Sequence, residues 1–267
     1  MSSRQGRQEL ARFLRTRRQR ITPDQVGLPT GRRRRTNGLR REEVAVLAGL
    51  SPTWYTYLEQ ARDIRPSPEV LDSLANVLAM TDDERQYMHQ LAGHGLTQSS
   101  LVAQDTSMVH ELVETAGQMP YPVYALDYMG GVLAWNDATA RWYTDWSECD
   151  GLDRNIVWWL VTSDEARERI VDWADDAKDI VGRTRAIAAR YPQDKAFHEL
   201  IANLHERSDD FRRWWANYEI RGQRLRIRRF RQESGRVYGM RLSVVHPSDD
   251  LSVTIAFHLP ATPDDVL

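Results

Sequence analysis

Apolar residues recur at helical spacing through the first third of the chain. From Gln5 to about Arg18, Leu10, Phe13 and Leu14 form one stripe, and Arg12, Arg15, Arg17 and Arg18 occupy the rest of the helix. Between Leu39 and Gln60 the pattern spells two short helices around a tight turn. Val44, Leu47 and Ala48 face inward in the first, while Ala45 and Gly49 are small where two helices cross at roughly 90–120°, and Gly49 also permits the backbone excursion that ends the first helix. Ser51-Pro52 starts the second helix, serine capping an amide and proline losing no needed donor. Leu50, Tyr55 and Leu58 then join the core, which leaves Pro52, Thr53, Thr56 and Tyr57 outward. Ser67-Pro68 repeats the start signal before Val70, Leu71, Leu74, Val77 and Leu78, and Thr81 with Glu84 makes a capping box before Tyr87, Met88 and Leu91. Residues 5–93 therefore predict a five-helix, all-α domain.

The pattern changes after Pro120. Tyr121–Leu126 and Val132–Trp135 flank Gly130-Gly131 as a β-hairpin. Helical stretches follow at Ser163–Tyr191, around Phe197, Leu200, Ile201 and Leu204, and around Phe211, Trp214, Trp215 and Tyr218, the last capped by Ser208. Arg224–Phe230, Val237–Val245 and Leu251–Leu259 read as antiparallel strands separated by turns at Ser234-Gly235 and Pro247–Asp250. This is an α+β grammar, with helices on one face of a sheet. The expected division is residues 1–95, a linker with a short helix at 96–119, and residues 120–267.

Charge separates the two parts. Through Arg65 there are 15 arginines against 6 acids, net +9; the whole chain carries -2, so the remainder carries -11. A basic head on an acidic body suits a polyanion partner for the head alone. The outward residues Pro52, Thr53, Thr56 and Tyr57 can meet base edges or thymine methyls, and Arg40 and Arg41 can meet phosphate. Arg32, Arg33, Arg34 and Arg35, in a basic loop just before that motif, suit phosphate or minor-groove contacts. Because one such motif covers a half-site, a homodimer on an inverted repeat of double-stranded DNA is expected.

Of 24 aromatic residues, 19 lie after Pro120, including eight of nine tryptophans. Such density can line a site for a small apolar ligand, with Trp135, Asn136, Trp142, Tyr143, Trp158, Trp159, Trp214 and Tyr218 as candidates. It can equally fill a solid core, making the second domain a dimerisation or protein-interaction module. No catalytic signature is present, and the neighbouring carboxylate pairs Asp175-Asp176, Asp209-Asp210 and Asp249-Asp250 point in different directions, so an enzyme is not expected. The single cysteine, Cys149, excludes an internal disulfide and fits a cytoplasmic setting; no zinc or cofactor motif and no apolar membrane span occurs.

These motifs resemble those of actinobacterial MmyB-like transcription regulators, which join an Xre-type, lambda-repressor-like helix-turn-helix to a PAS-like ligand-binding domain. The resemblance is carried by Gly31–Ala45, Trp54–Asp63 and Pro66–Leu71, then by Pro122-Val123-Tyr124, Leu133–Asn136 and Phe211–Ala216. It implies a small apolar or fatty-acyl ligand. Three departures stand out: Ala61 replaces a glycine after Leu-Glu-Gln, which would make that turn locally different; Ala216–Ile220 replaces Ala-x-His-Asp-Val; and Arg231–Ser234 replaces a strand containing His-Pro.

Overall fold

Local capping explains where the amino-terminal helices begin. The computed structural model describes residues 4–29, 38–94, 107–220, 226–232, 234–246 and 252–262. Arg32 to Arg35 and the Pro247–Asp250 turn lie outside the described residues. Among those described, the first part holds five α-helices: α1 (Arg4–Arg20), α2 (Arg41–Leu47), α3 (Pro52–Glu59), α4 (Pro68–Val77) and α5 (Asp82–Leu91). Ser51, Ser67 and Thr81 each accept a backbone N–H from three residues on, at 3.1, 3.4 and 3.3 Å, and Glu84 returns a bond to the Thr81 amide at 3.0 Å.

Leu10, Phe13 and Leu14 of α1 are buried with Val44, Ala45, Tyr55, Leu58, Leu71, Leu74 and Met88. Two expectations need correction. Leu47 is 37% exposed instead of facing inward. Gly49 has nothing within 4 Å of where a Cβ would stand, so of its two expected roles the backbone freedom, at φ 70°, is present and the clearance between helices is not. Clearance matters at Gly38 instead, where a Cβ would fall 2.4 Å from the Gln19 carbonyl oxygen. That close approach lets the Leu39 amide bond the carbonyls of Arg18 and Ile21, at 3.1 and 3.0 Å, and so ties the start of α2 to the end of α1.

The described residues fall into two units, the first drawn from 1–98, 188–194 and 217–222, the second from 99–187, 195–216 and 223–267. The second unit contains a five-stranded antiparallel sheet of β1 (Val123–Leu126), β2 (Val132–Trp135), β3 (Arg226–Arg231), β4 (Val237–Val245) and β5 (Thr254–Pro260), in the order β2-β1-β5-β4-β3. Register follows the alternation of side chains: Arg228, Met240 and Pro260 share one row position, while Leu242 faces His258 and Tyr124 faces Ala256. Tyr124, Phe230, Tyr238, Met240, Leu242 and Ala256 are thereby turned into one large core with the helices that follow β2.

Those helices are α7 (Asp137–Trp142), α8 (Ile156–Thr162), α9 (Asp164–Arg169), α10 (Trp173–Ala188), α11 (Lys195–Arg207) and α12 (Asp209–Ala216). The single helix expected from Ser163 to Tyr191 is in fact two. Ile170 takes an extended conformation and bridges Phe230, and the Val171 amide bonds the Arg229 carbonyl at 2.9 Å, so pairing with β3 interrupts the helix. A sixth helix of the chain order, α6 (Ser107–Thr115), buries Val109 and Val113 against Val123, Ala125, Ala134 and Ile255 on the opposite face of the sheet. The sheet is therefore flanked on both sides.

Candidate DNA-reading and ligand-sensing sites

The second helix of the amino-terminal motif is held from beneath by a buried carboxylate. Glu59, 1% exposed at the end of α3, accepts from Arg18 Nη2 at 3.0 Å and from Arg41 Nε at 2.7 Å, while Arg18 Nη1 reaches the Leu39 carbonyl at 2.8 Å. Burial alone would raise the Glu59 pKa, but the hydrogen bonds and charges of Arg18 and Arg41 outweigh it and hold the carboxyl below its ordinary value. One acid thus fastens α1, the start of α2 and the end of α3 together. The pattern does not mark Glu59, and it shows Arg18 only as one of the arginines around the first helix, because a charged residue at helical spacing reads as a solvated face.

With that underside fixed, α3 presents Pro52, Thr53 and Tyr57 as exposed residues and Thr56 as half-buried. The Thr56 hydroxyl donates to the Pro52 carbonyl at 2.8 Å, so toward a partner it offers its lone pairs. Arg62 lies 5.7 Å from the centre of the Tyr57 ring, which places a guanidinium beside the outward helix. Arg40 is exposed, and its amide bonds Glu43 at 2.7 Å. Arg41 is only partly available, since one of its nitrogens already serves Glu59.

In the second unit the aromatic candidates do not gather in one place. Trp142, Tyr143 and Trp159 meet around Phe230 and Trp146, with Tyr143 ring centres 5.1 Å from Phe230 and 5.5 Å from Trp159. Trp135 joins them through Trp146 at 6.1 Å and carries Arg154 over its outer face at 4.8 Å. Trp158 instead donates to Asp153 at 3.1 Å, and Trp214 packs on Trp173 at 5.6 Å. Tyr218 belongs to the first unit, where its hydroxyl donates to Glu9 at 3.2 Å. Asn136 is engaged structurally: its oxygen accepts from the amides of Val123 and Thr139, and its nitrogen donates to the Tyr121 carbonyl, so it caps α7.

A polar column runs through this aromatic core. Arg228, 2% exposed on β3, pairs with the equally buried Asp176 of α10 and donates to Tyr143 Oη at 2.7 Å; that hydroxyl lies 2.7 Å from His258 Nε2 on β5. Burial first, and then the charge of Arg228, lowers the His258 pKa to about 3, so the imidazole is neutral at pH 7. The proton positions follow. The Pro122 carbonyl, 3.2 Å from Nδ1, can only accept, so Nδ1 of the neutral ring carries the hydrogen; Nε2 then accepts from the Tyr143 hydroxyl, which itself accepts from Arg228. Trp146, fully buried beside the column, has an indole N–H with no hydrogen-bond partner among the described residues.

Residues 108–266 match the model of the MmyB-like transcription regulator ligand binding domain. The chain belongs to this family. Residues 9–88 match a helix-turn-helix domain model, which covers α1 to α5 up to Met88. No curated protein matches the chain. This MmyB-like protein is accordingly a helix-turn-helix DNA-binding transcription regulator with a ligand-binding domain, and not an enzyme. No helix among its described residues is long and apolar enough to cross a membrane.

Proposed function

We propose that this regulator reads a specific operator through Pro52, Thr53, Thr56 and Tyr57, binds it as a homodimer on an inverted repeat, and adjusts that binding to a small apolar molecule in a cytoplasmic setting. The observation that carries the reading is the split character of α3: Tyr55 and Leu58 are sealed in the core while Thr53 and Tyr57 stay exposed. A helix fixed on one side and polar on the other can enter a major groove without unfolding anything. Arg40 and Arg62 flank it and suit phosphate, and Arg41 can add a phosphate contact with the nitrogens that Glu59 leaves free. Arg32 to Arg35 remain proposed as an arm onto the DNA backbone.

The ligand reading rests on Trp146. A buried indole N–H with no acceptor costs about 1–3 kcal/mol, and an oxygen on a bound molecule would remove that cost. Trp135, Tyr143 and Trp159 around it, with Trp142 beyond on Phe230, supply apolar surface, which suits a fatty-acyl chain or a similar molecule ending in an acceptor. A ligand can alter DNA affinity only if it binds two states of the protein unequally.

Fluorescence anisotropy with operator libraries tests the first claim. Thr53→Ala and Tyr57→Ala should relax base preference with little change in affinity for random duplex, whereas Arg40→Ala should weaken every duplex and flatten the salt dependence. Equal loss on all sequences from Tyr57→Ala would remove Tyr57 from the reading. For the second claim, Trp146→Phe keeps a ring and deletes the donor. It should reduce stabilisation by fatty-acyl ligands in a thermal shift, and an unchanged shift would place the ligand elsewhere.

A further inference from the structure

The outer face of the second unit's sheet has two halves of opposite character. Over β2, β1 and part of β5 it is covered by α6, whose own outward side carries Met108 and Leu112, 48% and 46% exposed, next to the exposed Glu111 and Glu114. α6 contains no lysine or arginine. Past the helix the same face continues over β4, β3 and the far end of β5, where Ile227 is 54%, Val245 47%, Val237 41% and Leu259 40% exposed. Register places Ile227, Arg241 and Leu259 in one row across three strands, an arginine between two bare aliphatic side chains. Arg231 is exposed on the same face, Arg229 is held by Asp172, and β3, β4 and β5 contain no acid.

An apolar helix edged with acids therefore adjoins an apolar sheet edged with arginines, on one face of one domain. We propose that this face pairs with the same face of a second copy of the chain. A twofold axis would lay α6 of each protomer over the open β4–β3 half of the other. Met108 and Leu112 would cover Ile227 and Leu259, with Glu111 and Glu114 against Arg241 and Arg231. The surface is self-complementary, so the contact forms twice and closes, as an isologous dimer requires. Charge complementarity of this kind selects the partner, while the aliphatic side chains supply the buried area. Four large exposed aliphatic residues on one sheet half are also an aggregation hazard that such pairing removes.

This gives a surface to the homodimer of the reading above, yet the test needs no DNA, so the two can fail separately. Sedimentation of the full chain over a concentration series should show a dimer. Reversing the sheet half, Arg231→Glu with Arg241→Glu, should weaken that dimer at least about tenfold, because each reversal acts at both contacts. Reversing the helix, Glu111→Arg with Glu114→Arg, should do the same, and the chain carrying all four changes should regain the dimer. All four residues are exposed, so thermal unfolding of each variant confirms folding. In a Cys149→Ser background, chains bearing Met108→Cys and chains bearing Leu259→Cys should cross-link to each other on mixing under oxidation. A wild-type chain that stays monomeric, a dimer unmoved by either reversal, or a fourfold variant that remains monomeric overturns the proposal.

Discussion

Acidification should destabilise the ligand-binding domain through His258, and the effect is large enough to isolate. In the unfolded chain the imidazole titrates near its ordinary value of 6.5, while in the native domain burial and Arg228 hold it neutral down to about pH 3. Below pH 6.5 the unfolded state therefore binds a proton that the native state refuses. Stability is complete above that pH and is lost as pH falls. Each unit of that interval is worth about 1.4 kcal/mol, so moving from about pH 7 to about pH 5 should cost about 2 kcal/mol from this residue alone. The comparison is with His258→Gln, which can still accept from Tyr143 but does not titrate. Urea unfolding followed by tryptophan fluorescence reports mainly on this domain, since eight of the nine tryptophans lie after Pro120. His205, also lowered by burial and by Arg185 and Arg212, contributes with the same sign in both proteins and cancels in the difference. The variant should lose about 2 kcal/mol less than the wild type over that interval. Parallel pH profiles would show that the His258 imidazole reaches solvent in the native state and would refute the proton arrangement derived for the column.

Other changes probe the remaining joints. Asp176→Asn leaves Arg228 charged and buried without its partner and should cost about 3–5 kcal/mol, whereas replacing both by apolar residues of similar volume should cost much less, as chemical denaturation of the single and double variants will show. Ala61 sits at φ 57°, a left-handed conformation that an L residue resists, so Ala61→Gly should stabilise the amino-terminal domain by about 1 kcal/mol in a thermal melt. Gly38→Ala should cost about 1–3 kcal/mol or more and loosen α2 from α1, read as faster hydrogen exchange at the Leu39 amide, because its methyl would meet Gln19 backbone at 2.4 Å.

What could be read from the sequence divides along the range of the interactions. Ser51, Ser67, Thr81 and Ser208 announced helix starts because a cap and its amide lie three residues apart, and each cap is present. All five strands were likewise visible as alternating or apolar runs. Asn136 and Asn155 did the same work at the starts of α7 and α8, but those helices have six and seven residues, too short for a periodic stripe to declare itself, so Asn136 read as a ligand handle. Ala61 shows the opposite failure. Its identity suggested a different turn, yet α3 ends in the left-handed conformation anyway, at a local strain of about 1–2 kcal/mol, and the Arg62 amide closes the helix end on the Tyr57 carbonyl at 3.0 Å.

The features that matter most to the sites were illegible for a single reason: each joins residues that are far apart in the chain. Glu59 meets Arg18 over 41 positions, Asp176 meets Arg228 over 52, and Tyr143 meets His258 over 115. Asp175 and Asp176 could be read as pointing in different directions, but nothing in their neighbourhood tells which of the two is buried. Only the pairing of Ile170 with Phe230 turns α10 so that Asp176 faces β3 while Asp175 stays exposed. Once that bridge forms, alternation along β3 decides the rest: Arg228 and Phe230 go into the core and Ile227, Arg229 and Arg231 go out. One strand therefore supplies both the buried cation of the polar column and the exposed half of the sheet face. A change that slips its register by one residue would exchange the two sets, burying Ile227 and Arg229 and exposing Arg228, and so would abolish the column and the outer surface together.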